Sequence, residues 1–223
     1  MRISLSMNRE QGLTLVELFV VMAIIACFAI FFISQPDRNM KARALRIQCV
    51  NNQKQVGLAT RVWAGDHGDK YPASISATNG GSLEFVGGTD EWRYFLVMSN
   101  ELSTPRVLLC PADDSHLYAA TNFTFLRNSN ISFFLGVDVA DGSNPQMILG
   151  GDCNVTNGTQ IKNGILRVST NNPAGWTSET HNKVGNILLA DGSVQQVSGT
   201  GLRTAIENAT NGTSRLQMPV LGP

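Results

Sequence analysis

The chain begins with a short polar stretch, Met1 to Gly12, and then runs apolar without interruption from Leu13 to Ile33 (LTLVELFVVMAIIACFAIFFI). As a helix, that segment reaches roughly 31 Å, enough for the ~30 Å hydrocarbon core of a bilayer. One charge, Glu17, interrupts it. Pro36 follows, where the lost backbone donor predicts a kink. Helical periodicity then resumes: Leu45, Cys49, Val56, Ala59 and Trp63 form one stripe, and Met40, Ala44, Ile47, Leu58 and Val62 a neighbouring one. Arg43, Arg46, Gln53, Lys54 and Arg61 fill much of the rest. Gly65-Asp66-His67-Gly68-Asp69 supplies breakers, so the helix is predicted to stop after Ala64.

From Tyr71 onward the pattern changes to short strands separated by turn residues. Residues 131–139 and 146–150 read as buried strands, and 91–98 fits helix or strand. The segments 185–190 and 193–198 flank Asp191-Gly192, the pair favoured in a type I′ hairpin. Residues 202–209 read as a short helix. The organisation is therefore α+β, with four parts: a leader (1–12), an apolar helix (13–33), its continuation (34–64) and an antiparallel β-rich head (65–223). No internal repeat is evident.

Charge and composition narrow the function classes. Lys and Arg number 17 against 17 Asp and Glu, so the basic footprint of a dedicated nucleic-acid binder is missing. Charged residues make up 15%, well below the ~25% of ordinary soluble domains. Cys27, Cys49, Cys110 and Cys153 are too few and too scattered for a zinc framework or a disulfide-dense scaffold. Histidines 67, 116 and 181 come with no G-x-S-x-G, H-E-x-x-H or P-loop, so no enzymatic role is expected.

Several fates of the amino terminus compete. No A-x-A-like site follows the apolar run, against an ordinary signal peptide. Ile24-Ile25-Ala26-Cys27 has the form of a lipoprotein signal acylated at Cys27, yet the apolar run continues beyond it. Arg38, Lys41, Arg43 and Arg46 follow the span with more positive charge than the leader, which alone would put the body on the cytoplasmic side. An acid inside a membrane helix costs about 3 kcal/mol and is read as functional by default. The competing reading puts Glu17 at the interface near the helix start, favoured by the dipole.

Gly12-Leu13-Thr14-Leu15-Val16-Glu17 resembles the processing site of type IV prepilins and type II secretion pseudopilins. The resemblance implies cleavage by prepilin peptidase between Gly12 and Leu13, and N-methylation of Leu13, where the family usually has Phe. It also implies an N-in topology that outweighs the flanking charges. Glu17 falls at the family's fifth mature position, where its carboxylate would meet a neighbour's terminal amine during assembly. The body resembles prepilin-type proteins with a His-X9-Asp-Gly signature, here His181 and Asp191-Gly192, and carries similar segments at 49–59 and 110–113. The implied fold is pilin-like, a long N-terminal helix packed on a small antiparallel sheet, as in the major pseudopilin type.

That resemblance makes the chain a single-pass inner-membrane subunit with a periplasmic head, assembled into a type II secretion filament. Its partners would be copies of itself, other pseudopilins, prepilin peptidase, the inner-membrane assembly platform and membrane lipid. A type IV pilin of a surface fibre for adhesion, motility or DNA uptake is the alternative, and a lipoprotein tethered at Cys27 a third reading. The resembling segments make Cys49–Cys110 the first disulfide candidate, with Cys110–Cys153 as the alternative. His181 reads as a hydrogen-bonding residue at the hairpin base and Asp191 as a turn residue. No cofactor is required. Calcium is the ion left open, with Asp66, Asp69, Asp138, Asp141, Asp152 and Asp191 as oxygen donors that lack EF-hand spacing.

Overall fold

The structure, a computed structural model, describes residues 14–33, 38–115, 118–142, 144–210 and 213–220, and only the backbone of 31–33, 38, 39, 210 and 213. Gly12, Leu13 and Pro36 lie outside the described residues, and with them the expected cleavage site, methylation site and kink. The chain divides into two units between Lys41 and Ala42, inside the segment 34–64 expected to be one continuation.

The first unit contains helix α1 (Leu15–Ile33). It starts with a capping box: Glu17 accepts from both the backbone N–H and the hydroxyl of Thr14, each at 2.8 Å, and its own N–H donates back to Thr14 Oγ1. Large apolar side chains from Leu15 (70% exposed) to Ile30 (66%) lie open on every side of the helix. Among the described residues no helix is long and apolar enough to cross a membrane. The described side chains of α1 end at Ile30, short of the expected span 13–33.

Helix α2 (Arg38–Asp66) contributes its residues from Ala42 onward to the second unit. There it is joined by α3 (Trp92–Val97), α4 (Ser99–Leu102) and α5 (Gly199–Thr210). The strands are β1 (Phe133–Gly136), β2 (Ile148–Asp152), β3 (Val155–Thr156), β4 (Ile165–Ser169), β5 (Gly175–Trp176), β6 (Val184–Leu189), β7 (Val194–Ser198) and β8 (Thr213–Gln217). Six form an antiparallel sheet in the order β4-β8-β1-β2-β6-β7, and β3 pairs with β5 apart from it. The ambiguous segment 91–98 is thus resolved as helix.

Both faces of the large sheet are covered. Leu135, Leu149 and Leu188 pack with Val56, Ala59 and Trp63 of α2 and with Phe95 and Met98. Phe134, Ile148, Ile187 and Leu189 pack on the opposite side with Leu202 and Ile206 of α5 and with Leu166 and Leu216. Successive strand residues point to opposite faces, so β1 and β2 are buried throughout instead of alternating. Gly57 lets α2 approach β6 closely, since a Cβ there would lie 2.6 Å from Leu188 Cδ1. Of the two stripes expected on α2, the Cys49–Trp63 stripe is buried from Cys49 onward. Ile47, Leu58 and Val62 of the other remain exposed.

The hairpin at Asp191-Gly192 is not type I′. That turn needs positive φ at both central residues, whereas Gly192 has φ 83° and Asp191 is not among the positive-φ residues. Leu189 and Ser193 close a three-residue loop, in which the Gly192 N–H donates to Leu189 O and the Leu189 N–H to Ser193 O. A left-handed glycine in the last loop position is the form usual in three-residue hairpins.

Candidate metal centre

Four side chains far apart in sequence converge beneath α2. Cys49 lies on α2, Cys110 ends the loop after the short helical turn Pro105–Leu108, Asp152 is the last residue of β2, and His181 precedes β6. Their ligand atoms all lie within 4.8 Å of one another, and all four residues are buried. Cys49 and Cys110 are both free thiols. The proximity that the Cys49–Cys110 pairing needs is present, without a bond between the sulfurs.

Asp152 is the hub. Its Oδ1 accepts from Cys49 Sγ at 3.1 Å and from Gln53 Nε2 at 2.6 Å. Cys49 and Gln53 are four apart on α2, so one helix face presents both to the same carboxylate. Oδ2 accepts from the backbone N–H of Asn186 at 2.7 Å and from its Nδ2 at 2.9 Å, and lies 3.5 Å from His181 Nε2. The same Nε2 is 3.5 Å from Cys110 Sγ. Arg46 Nη2 donates to the carbonyl of His181 at 2.8 Å, fixing the loop that carries the ring.

Burial governs the acid–base behaviour. It pushes the Asp152 carboxyl up to about 6, and the donors Cys49, Asn186 and Gln53 restrain the rise. Burial also pulls His181 down to about 4, helped by the Arg46 charge and opposed by Asp113. The Cys49 thiol is held far above its ordinary value by burial, then by Cys110 and Asp152.

This geometry is not a nucleophile relay. A Cys–His–acid triad needs the two ring nitrogens to face different partners, whereas here Nε2 faces both the sulfur and the carboxylate. Cys49 and Cys110 are both fully buried. Two sulfurs, one imidazole nitrogen and one carboxylate oxygen instead make a donor set suited to zinc, and too soft for calcium.

The other expected site residues are dispersed. Asp138 holds Arg215, with Oδ2 accepting the backbone N–H at 2.7 Å and Oδ1 the Nε at 2.6 Å. Asp191 accepts from the Ser193 N–H at 2.8 Å within its turn, and its carbonyl accepts from Arg61 on α2. Asp69, Asp141 and Asp191 line a common open groove with Arg61 and Lys70, away from Asp138 and Asp152. Cys153 is not paired with Cys110; its Sγ lies 3.5 Å from Asp113 Oδ2.

Gln53 and Asn186 were not anticipated as parts of a site. Asn186 had a readable signal, a polar residue inside the apolar strand VGNILL, where it is fully buried. Gln53 falls on the polar side of α2 by periodicity, yet it is 1% exposed. No family model matches the chain, and no curated protein or solved structure matches it either.

Proposed function

We propose that the chain is a pseudopilin-like structural subunit, trimmed by prepilin peptidase after Gly12 and assembled from the inner membrane into a periplasmic filament of a type II secretion system. The observation that carries this reading is α1, a helix whose large described apolar side chains are all exposed and whose one acid, Glu17, sits in its first turn. Such a surface requires lipid or copies of itself to cover it. The uninterrupted apolar sequence from Leu13 to Ile33 adds the length for a bilayer. Within the second unit, Ile47, Leu58 and Val62 of α2 are exposed as well.

The capping box gives Glu17 a defined role in each state. In the single subunit its carboxylate is satisfied by Thr14. In the filament the positive terminal amine of a neighbour, freed by cleavage at Leu13, offers a stronger partner. Pairing two buried charges rewards only the axial register that brings them together. The pilin-like arrangement implied by the sequence is supported by α2 packed on an antiparallel sheet.

Overexpression of the chain with its secretion genes, followed by immunogold microscopy of sheared filaments, tests the proposal. Wild type is expected to form filaments, and Glu17→Val is expected to be cleaved and inserted yet to yield none. Normal filament yield from Glu17→Val would remove the charge-pairing mechanism. Long surface fibres with secretion intact without them would shift the assignment to a type IV pilin.

A further inference from the structure

We propose that Cys49, Cys110, Asp152 and His181 bind one zinc ion in a closed structural site that fastens α2 to the sheet. The geometry fits. Zinc bonds of ~2.3 Å to sulfur and ~2.0 Å to nitrogen or oxygen make tetrahedral edges of about 3.3–3.8 Å between ligand atoms. Cys110 Sγ and Asp152 Oδ2 each lie 3.5 Å from His181 Nε2, inside that range, and Cys49 Sγ lies 3.1 Å from the other Asp152 oxygen, so a small turn of the carboxylate brings one oxygen to both. No separation among the four ligand atoms exceeds 4.8 Å, about 1 Å beyond that range and within reach of side-chain adjustment.

The chemistry fits as well. A carboxylate 1% exposed has the His181 imidazole at 3.5 Å and, among the described residues, no lysine or arginine in ion-pair reach. A divalent cation supplies the missing positive charge, and the two thiols release their protons on binding. Gln53 and Asn186, both donating to Asp152, are placed as the outer hydrogen bonds that orient a metal-bound carboxylate. The Nε2 of His181 points inward, so the ring proton belongs on Nδ1. Four protein ligands with no exposed position define a structural site, without the open position of a catalytic one.

The site gives His181 a role beyond the hairpin base, and it would shield the Cys49–Cys110 pair from oxidation in a periplasmic compartment. It does not depend on filament assembly. The test is native mass spectrometry and metal analysis of the full chain, purified in detergent without chelator. One zinc per chain is expected. Replacement by cobalt(II) should give thiolate charge-transfer bands and the intense visible absorption of a tetrahedral ion. His181→Ala should lose the metal. His181→Cys, which keeps four ligands, should retain zinc and the wild-type circular dichroism. Zinc at background level in a folded wild-type chain, or a mass two hydrogens lower from a Cys49–Cys110 disulfide, would overturn the proposal, as would a folded His181→Ala chain with full zinc occupancy.

Discussion

Glu17 and Asp152 are both carboxylates set among apolar side chains, and the two units satisfy them in opposite ways. Glu17 is served by Thr14, three residues away, on a helix whose apolar surface stays uncovered. Asp152 is served by Cys49, Gln53 and Asn186, which lie 103, 99 and 34 residues away, in a pocket that excludes solvent. A locally satisfied acid leaves its helix free to seek partners outside the subunit. An acid satisfied over long range ties its own fold together. The first arrangement belongs to assembly, the second to the integrity of the piece being assembled.

The comparison is broken most severely at Glu17. Glu17→Val should abolish filaments while leaving the thermal midpoint of the folded body unchanged, checked by electron microscopy and calorimetry on the same preparation. Stripping the metal should do the reverse. With zinc at roughly a thousand times its dissociation constant the linkage is worth about 4 kcal/mol, so a chelator should lower the midpoint by about 10 °C. Equal midpoints with and without chelator would leave the body's fold independent of an ion.

Smaller effects sharpen the same contrast. Gly57→Val places atoms where Leu188 already sits, so overpacking should cost about 1–3 kcal/mol, read as a lower denaturant midpoint. Glu91 has the smallest expected effect, and its size depends on pH. Both its carboxylate oxygens are buried without a hydrogen-bond partner, and burial raises its pKa well above the ordinary 4.5. The folded state therefore holds a proton that the unfolded chain releases above that value, and stability falls as pH rises from there. Glu91→Gln should raise the melting midpoint at pH 7, by about 2–4 °C for each ~1 kcal/mol recovered, and change it little at pH 4.

Legibility in the sequence followed the same division. The apolar run and the α2 stripe are periodic or adjacent signals, and the apolar segments 131–139, 146–150 and 185–190 overlap the strands 133–136, 148–152 and 184–189. The second covered face was hidden, because an all-apolar strand does not reveal which helix lies on which side, and α5 read only as a short helix. The thiol–imidazole–carboxylate cluster was visible as fragments: Cys49 and Cys110 as a disulfide candidate, Asp152 as a calcium donor, His181 as a hairpin residue. Topology alone unites them, since the 151–152 end of β2 must pass beneath α2 and beside β6. The type I′ expectation failed because Asp-Gly suits more than one hairpin, and the loop length is set by where β6 and β7 resume pairing.

The account stands or falls on the fate of the amino terminus. Mass spectrometry of the mature chain from its native membrane should find N-methylated Leu13 as the first residue. A chain that retains Met1 to Gly12, or one that begins at a lipidated Cys27, would contradict it.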